Sequence, residues 1–162
     1  MISMEEGKKD FIAAPTEEQI VQNVLAKFPD LVNHRATKTR RVYFKADIDV
    51  LFSLCKYMRD EMNFVHCSCV SGVDWETHLG TVYHISNYET GIMVEISVDI
   101  PYDKPEVDSV TPLWNGANFH EREAAELFGI VFNGHPDPRK LLLIEEYDFY
   151  PFRKSFKPAE VR

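Results

Sequence analysis

Apolar residues recur at helical spacing over Ile20, Val21, Val24, Leu25 and Phe28, which predicts a first helix with one inward face. Thr16 supplies the N-cap, Gln19 closes a capping box three residues on, and Pro29 ends the run. From Arg41 to Ala46 the pattern switches to alternation, the mark of a half-buried strand. Asp47 then caps a second helix that turns Val50, Leu51, Leu54, Cys55 and Met58 inward, and Asn63 marks the turn after it. Residues 64–70, 79–86 and 92–100 read as three further strands. In the last, Ile92, Val94, Ile96, Val98 and Ile100 share one face while Met93, Glu95, Ser97 and Asp99 share the other, so one face of the sheet is wet. The short turn segment 87–91 makes an antiparallel hairpin the simplest pairing of the last two strands.

Residues 101–112 form a Pro- and Asp-rich loop, and a third helix begins near Asn118, with Asn118 as N-cap, Glu121 as its capping-box partner and Gly129 as the stop. Beyond it, four prolines (136, 138, 151 and 158) and the aromatics Tyr147, Phe149, Tyr150, Phe152 and Phe156 describe an extended tail that needs a surface to lie on; we expect it to be disordered when free and to order on a partner. The fold class is therefore α+β: a two-layer single domain, a mixed, mostly antiparallel sheet with helices on one face, and an extended Pro- and aromatic-rich C-terminal tail. The expected boundaries are a flexible N-terminus at 1–14, the α+β domain at 15–143 and a docking tail at 144–162.

Composition narrows the function. The 162 residues are 44% hydrophobic and 27% charged, as in a globular domain, and the formal net charge of −8 argues against non-specific binding to nucleic acid or anionic lipid and for a basic face on a neighbouring protein. The apolar run Leu141–Ile144 falls far short of the roughly 20 residues that a membrane helix needs. The first residues carry no signal-peptide or transit character, so the chain is expected to stay in the cytosol. Cys55, Cys67 and Cys69 are an odd number and argue for reduced thiols rather than a disulfide framework.

Motifs for phosphate binding, GxGxxG and GxxxxGK[ST], are absent, as is the GxSxG nucleophile elbow. His66-Cys67-Ser68-Cys69 is the best local ligand set. In a regular strand, however, Cys67 and Cys69 share one face and His66 takes the other, so the trio reads as small core thiols; a thiol-dependent redox enzyme using Cys67 or Cys69 is the alternative. The stretch His120–Lys140 packs charges of both signs beside apolar residues. Arg122 and Glu126, four apart, can form a surface pair worth a few tenths of a kcal/mol, which is the plain reading. The other reading is a partner interface, because Arg forks suit carboxylates across a contact and Arg139, Arg153 and Lys154 lie in Pro-flanked segments. His135, between Gly134 and Pro136, reads as a hydrogen-bonding turn residue.

The ordered set from Trp114 through His120-Glu121-Arg122-Glu123, Glu126-Leu127-Phe128-Gly129, Gly134-His135-Pro136, Arg139-Lys140 and Pro151-Phe152-Arg153-Lys154 resembles the signature of the C-type subunit of respiratory complex I. Glu126 and Ser155 stand where that family more often shows Asp, Lys140 where Arg is common, and Pro138 where an aliphatic residue is usual. The resemblance implies a non-catalytic peripheral subunit of a membrane-bound, ion-translocating quinone oxidoreductase. It also implies that no cofactor sits in this subunit, with iron–sulfur clusters and flavin or another coenzyme in partner subunits. The implied partners are the hydrogenase-like, D-type large subunit and the iron–sulfur subunits, on the cytoplasmic side, with membrane contact only through them. An accessory role in a membrane-bound [NiFe] hydrogenase is the related alternative. The expected interface residues are Glu121, Arg122, Glu123, Glu126, His135, Pro136, Arg139, Lys140, Arg153 and Lys154.

Overall fold

The computed structural model describes residues 16–31 and 38–158; the expected flexible segment 1–14 and the last four residues of the expected tail lie outside the described residues. Helix α1 spans Glu17–Lys27 and starts on the anticipated capping box, in which Thr16 and Gln19 satisfy each other's amides. Strand β1 (Arg41–Ala46) leads into α2 (Ile48–Met62), where Asp47 occupies the N-cap without a side-chain hydrogen bond and Asn63 ends the helix in the left-handed region. Strands β2 (His66–Asp74), β3 (Leu79–Ser86) and β4 (Met93–Ile100) follow.

The sheet order is β1-β4-β3-β2, with β1 parallel to β4 and the other neighbours antiparallel. The mixed sheet and the β3–β4 hairpin match the expectation. Val42, Phe44 and Ala46 lie across from Val94, Ile96 and Val98, and these side chains are buried against Leu51, Leu54 and Met58 of α2. Each Val, Leu, Ile, Phe or Met side chain so removed from water contributes about 1.5–3 kcal/mol before entropy is counted. The opposite face carries Lys45, His84, Glu95 and Asp99, with Lys45 paired to Asp99 at 2.6 Å, and is the wet face that the alternation of β4 implied.

Two features depart from the sequence reading. Strand β2 starts at His66 and runs on to Asp74, with a bulge between Cys67 and Cys69. The bulge adds one residue to β2, so Cys67 stands opposite buried Ile85 and Cys69 opposite His84, and the two thiols no longer share a face. The 101–112 loop is also not wholly irregular: β5 (Glu106–Asp108) pairs in parallel with β6 (Val131–Asn133), which follows α3 (Ala117–Phe128). Helix α3 begins after Gly116, not at Asn118, which lies inside it, and no side chain caps it. It packs on β2, where Gly72 leaves room for the Phe128 ring; a Cβ there would come within 2.4 Å of it.

Candidate functional site: helix α3 and the strap it carries

Helical periodicity turns Ala117, Glu121, Ala124 and Leu127 inward together, so a carboxylate sits on the apolar face of α3. The β5–β6 pair delivers its partners. Directly after β5, the Ser109 hydroxyl donates to Glu121 Oε2 at 2.5 Å, the Val110 N–H to Oε1 at 2.7 Å and the Thr111 hydroxyl to Oε2 at 3.1 Å. His135 follows β6 with Nε2 at 3.8 Å from the same carboxylate. The Asp137 N–H donates to His135 Nδ1 at 3.0 Å, which leaves the proton on Nε2, facing the Asn118 carbonyl at 3.2 Å. Burial pushes the Glu121 carboxyl above its ordinary range, and the donors from Ser109, Val110 and Thr111 pull it back without cancelling that effect.

The outer side of α3 organises the chain beyond β6. Arg122 donates to the carbonyls of Arg139 and Lys140 at 2.8 and 3.0 Å. Glu126 accepts the N–H groups of Leu141, Leu142 and Leu143 at 2.9 to 3.1 Å, three successive amides on one carboxylate. Lys140 Nζ then points at the carbonyls of Ile144, Glu145 and Tyr147. Asp137 is held well below the usual carboxylate range, first by its hydrogen bonds from Arg139. Residues 141–156 form a strap whose far end returns to α3. The Phe152 N–H donates to the Leu127 carbonyl at 3.1 Å, and Arg153 Nε donates to the Phe128 carbonyl at 2.7 Å, satisfying acceptors that the helix end leaves orphaned. Gly129 there has φ +72°, and a Cβ would lie 2.6 Å from the Tyr150 ring. Asp74 at the end of β2 completes the latch, accepting the N–H of Lys154 and of Glu76, each at 2.7 Å.

Residues 44–162 match the family described as the 30 kDa subunit of respiratory-chain NADH dehydrogenase. The chain belongs to that family. Among relatives of this 30 kDa-type subunit, the C-type subunit of the F420H2 dehydrogenase of Methanosarcina mazei is 32% identical over 142 residues, covering 85% of this chain and 90% of that one. The C-type subunit of the NADH-quinone oxidoreductase of Chlorobium phaeobacteroides is 35% identical over 143 residues, 85% of this chain and 86% of that one. Among solved structures, a chain of an archaeal membrane-bound sulfane sulfur reductase complex, described as respiratory, superposes with TM-score 0.77 at 27% identity, covering 86% of this chain and 85% of that one. The trypsin-resistant fragment of Nqo5 gives 0.63 at 26% identity, covering 74% of this chain and 97% of the fragment.

In this 30 kDa-type chain most of the residues expected at an interface are spent inside the fold. Glu121 is no capping-box residue: it is wholly buried against Ser109–Thr111. Arg122 and Glu126 do not pair with each other, because each serves the backbone of the segment 139–143. The His135 side chain is only 3% exposed, and Arg153 is used at the end of α3. Glu123, Pro136, Arg139 and Lys154 remain on the surface, and Arg139, with 76% of its side chain exposed, is held by Asp137. The strap, expected to order on a partner, is tied to its own domain through Phe152, Arg153 and Lys154. Sequence reasoning missed Ser109, Thr111 and Asp74. For the first two a signal existed, since Glu121 falls where the period of Ala117, Ala124 and Leu127 calls for an apolar side chain and so demands donors nearby.

Proposed function

We propose that this chain is a non-catalytic peripheral-arm subunit of a membrane-bound, ion-translocating oxidoreductase. It docks through its strap on a hydrogenase-like, D-type large subunit, near the quinone-facing end, and supports assembly there. The observation that carries the reading is the strap's surface. Leu142, Ile144, Tyr147, Phe149, Tyr150 and Phe152 are all exposed on a segment fixed at both ends by Glu126 and Arg153, and a concentration of exposed apolar side chains on a rigid mount marks a protein contact. A relative from Phocaeicola vulgatus, named as the fused C/D-type subunit of an NADH-quinone oxidoreductase, is 42% identical over 89 residues, 54% of this chain and 17% of that one; a C-type segment joined to a D-type one in a single polypeptide supports the choice of neighbour.

No helix among the described residues is long and apolar enough to cross a membrane. In this reading the chain sits on the cytoplasmic side and membrane contact passes through other subunits. Iron–sulfur clusters and flavin or another coenzyme belong to those partners. The relatives' names differ in electron donor, F420H2 in one and NADH in others, which supports a role separate from the choice of donor. Against a free-standing thiol enzyme, burial pushes the Cys67 thiol up to about 12, the reverse of the activated thiolate that such chemistry needs.

The test is affinity purification of the tagged full-length chain from solubilised native membranes. Recovery with a hydrogenase-like large subunit and iron–sulfur subunits is the expected result, and the input module among them names the donor. Recovery of the chain alone would refute the reading.

A further inference from the structure

We propose that the partner surface under the strap is cationic as well as apolar, bearing Arg or Lys side chains that meet Glu145, Glu146 and Asp148. This rests on the docking role above and adds the chemistry of the other side. From Leu141 to Tyr150 the only charged side chains are these carboxylates, all exposed, and none is within ion-pair distance of a cation among the described residues. Of the five cations nearest in sequence, three are turned to other groups, and the side chains of Lys154 and Lys157 are exposed. Lys140 is aimed at strap carbonyls, Arg153 sits on the α3 end and over the Tyr150 ring at 4.5 Å, and Arg139 holds Asp137, with Glu145 only its weakest influence. The three carboxylates form no ion pair among the described residues and outnumber Arg153 and Lys154, the cations of the strap itself, in a protein whose net charge is already −8.

A second observation points the same way. Tyr147 stacks on Phe149 at 4.9 Å and Phe149 on Phe156 at 5.0 Å, so ring faces stand in a row with Asp148 between the first two in sequence. An exposed aromatic cluster next in sequence to a carboxylate suits a guanidinium, which packs on an outer ring face and bridges to the carboxylate. Apolar side chains of the partner cover Leu142 and Ile144, and its cations fall on the acidic rim.

The experiment replaces the native copy in the host by tagged full-length variants and measures how much large subunit co-purifies between about 0.1 and about 1 M salt, where the Debye length falls from about 10 Å to about 3 Å. The neutral set Glu145→Gln, Glu146→Gln and Asp148→Asn is expected to hold the partner about tenfold more weakly, with little salt dependence left. The reversed set, all three to Lys, is expected to lose it. A pair that removes only apolar contact, Leu142→Ser with Ile144→Ser, weakens binding and keeps the salt dependence. Full retention of the partner by the neutral and reversed sets would overturn the cationic assignment while leaving the docking role standing. Recovery of the wild-type chain without partners would overturn the docking role itself. Melting of each purified chain is measured alongside; if the reversed set melts early, the isosteric neutral set decides, with reduced retention supporting the proposal and unchanged retention overturning it.

Discussion

The sheet half and the strap half of this molecule are held by opposite means. From Arg41 to Ile100 the backbone satisfies itself in ladders and the side chains facing α2 are apolar. From Ser109 to Phe156 the chain has little ladder, and charged side chains take its place. Glu121 receives the Val110 N–H, Glu126 three strap amides and Asp74 the Lys154 amide, while Arg122 and Arg153 bond to carbonyls. The difference teaches that an irregular segment becomes rigid when ions are aimed at its peptide groups. A dense run of mixed charge on a short helix then signals internal wiring rather than a solvated face. Each such bond to an ion is worth about 1.5–3 kcal/mol, against about 1 for a neutral one.

The comparison breaks most sharply at its buried member. Glu121→Ala leaves the Ser109, Val110 and Thr111 donors buried and unpaired, and the expected loss is about 3 kcal/mol in urea unfolding. A loss under about 1 kcal/mol would mean that the carboxylate contributes little beyond filling space. Glu126 is buried too, but the amides it holds belong to an exposed strap, so for Glu126→Ala about 2 kcal/mol of local stability is expected to go, read as faster amide exchange at Leu141, Leu142 and Leu143 with the sheet unchanged. Exchange quickening equally in β3 would show instead that strap and sheet unfold as one unit. Gly129→Ala comes next, at about 1–2 kcal/mol, because φ +72° is strained for alanine and its Cβ meets Tyr150 and Arg153. Equal melting of variant and wild type would place the end of α3 in a different conformation.

How much of this was legible follows from the same contrast. The periodicities of residues 20–28, 41–46, 50–58 and 92–100 report burial directly, so α1, β1, α2, the β3–β4 hairpin and the two-layer α+β class were all readable. The bulge at Cys67–Cys69 was not, because one inserted residue leaves no compositional trace in a run of small side chains. The β5–β6 pairing joins short segments across α3, and three-residue strands carry no usable alternation. At the candidate site, the charged residues were singled out and the family signature was recognised, but not the contacts that Glu121, Arg122, Glu126, His135 and Arg153 make within the chain. Whether Arg122 faces a partner or the Arg139 carbonyl depends on where a Pro-rich turn passes, which helical spacing does not encode. Asp74 left no signal at all, lying eighty residues before the amide that it holds.

The smallest effect, and the one that sharpens the contrast, is the opposite response of two buried carboxyls to pH. Glu121 is raised, with burial the leading cause. Its folded form keeps the proton to higher pH than the unfolded chain, so its favourable contribution is complete below the unfolded value of about 4.3 and declines as pH rises through the folded one. Asp74 is also penalised by burial, yet the hydrogen bonds from Tyr102, Lys154 and Glu76 and the charge of Arg153 bring it below its ordinary value. Its contribution is complete above about 3.9 and declines as pH falls through the folded value. Against Glu121→Gln, the wild type is therefore expected to lose relative stability from pH about 4.5 upward, and against Asp74→Asn to lose it below about 4, in each case by at most about 1.4 kcal/mol per pH unit. Urea midpoints of the three proteins across that range decide the matter. A wild-type advantage over Glu121→Gln that grows with pH would mean that the donors from Ser109, Val110 and Thr111 outweigh burial, and that the interior of α3 is wired for a carboxylate as firmly as the strap latch is.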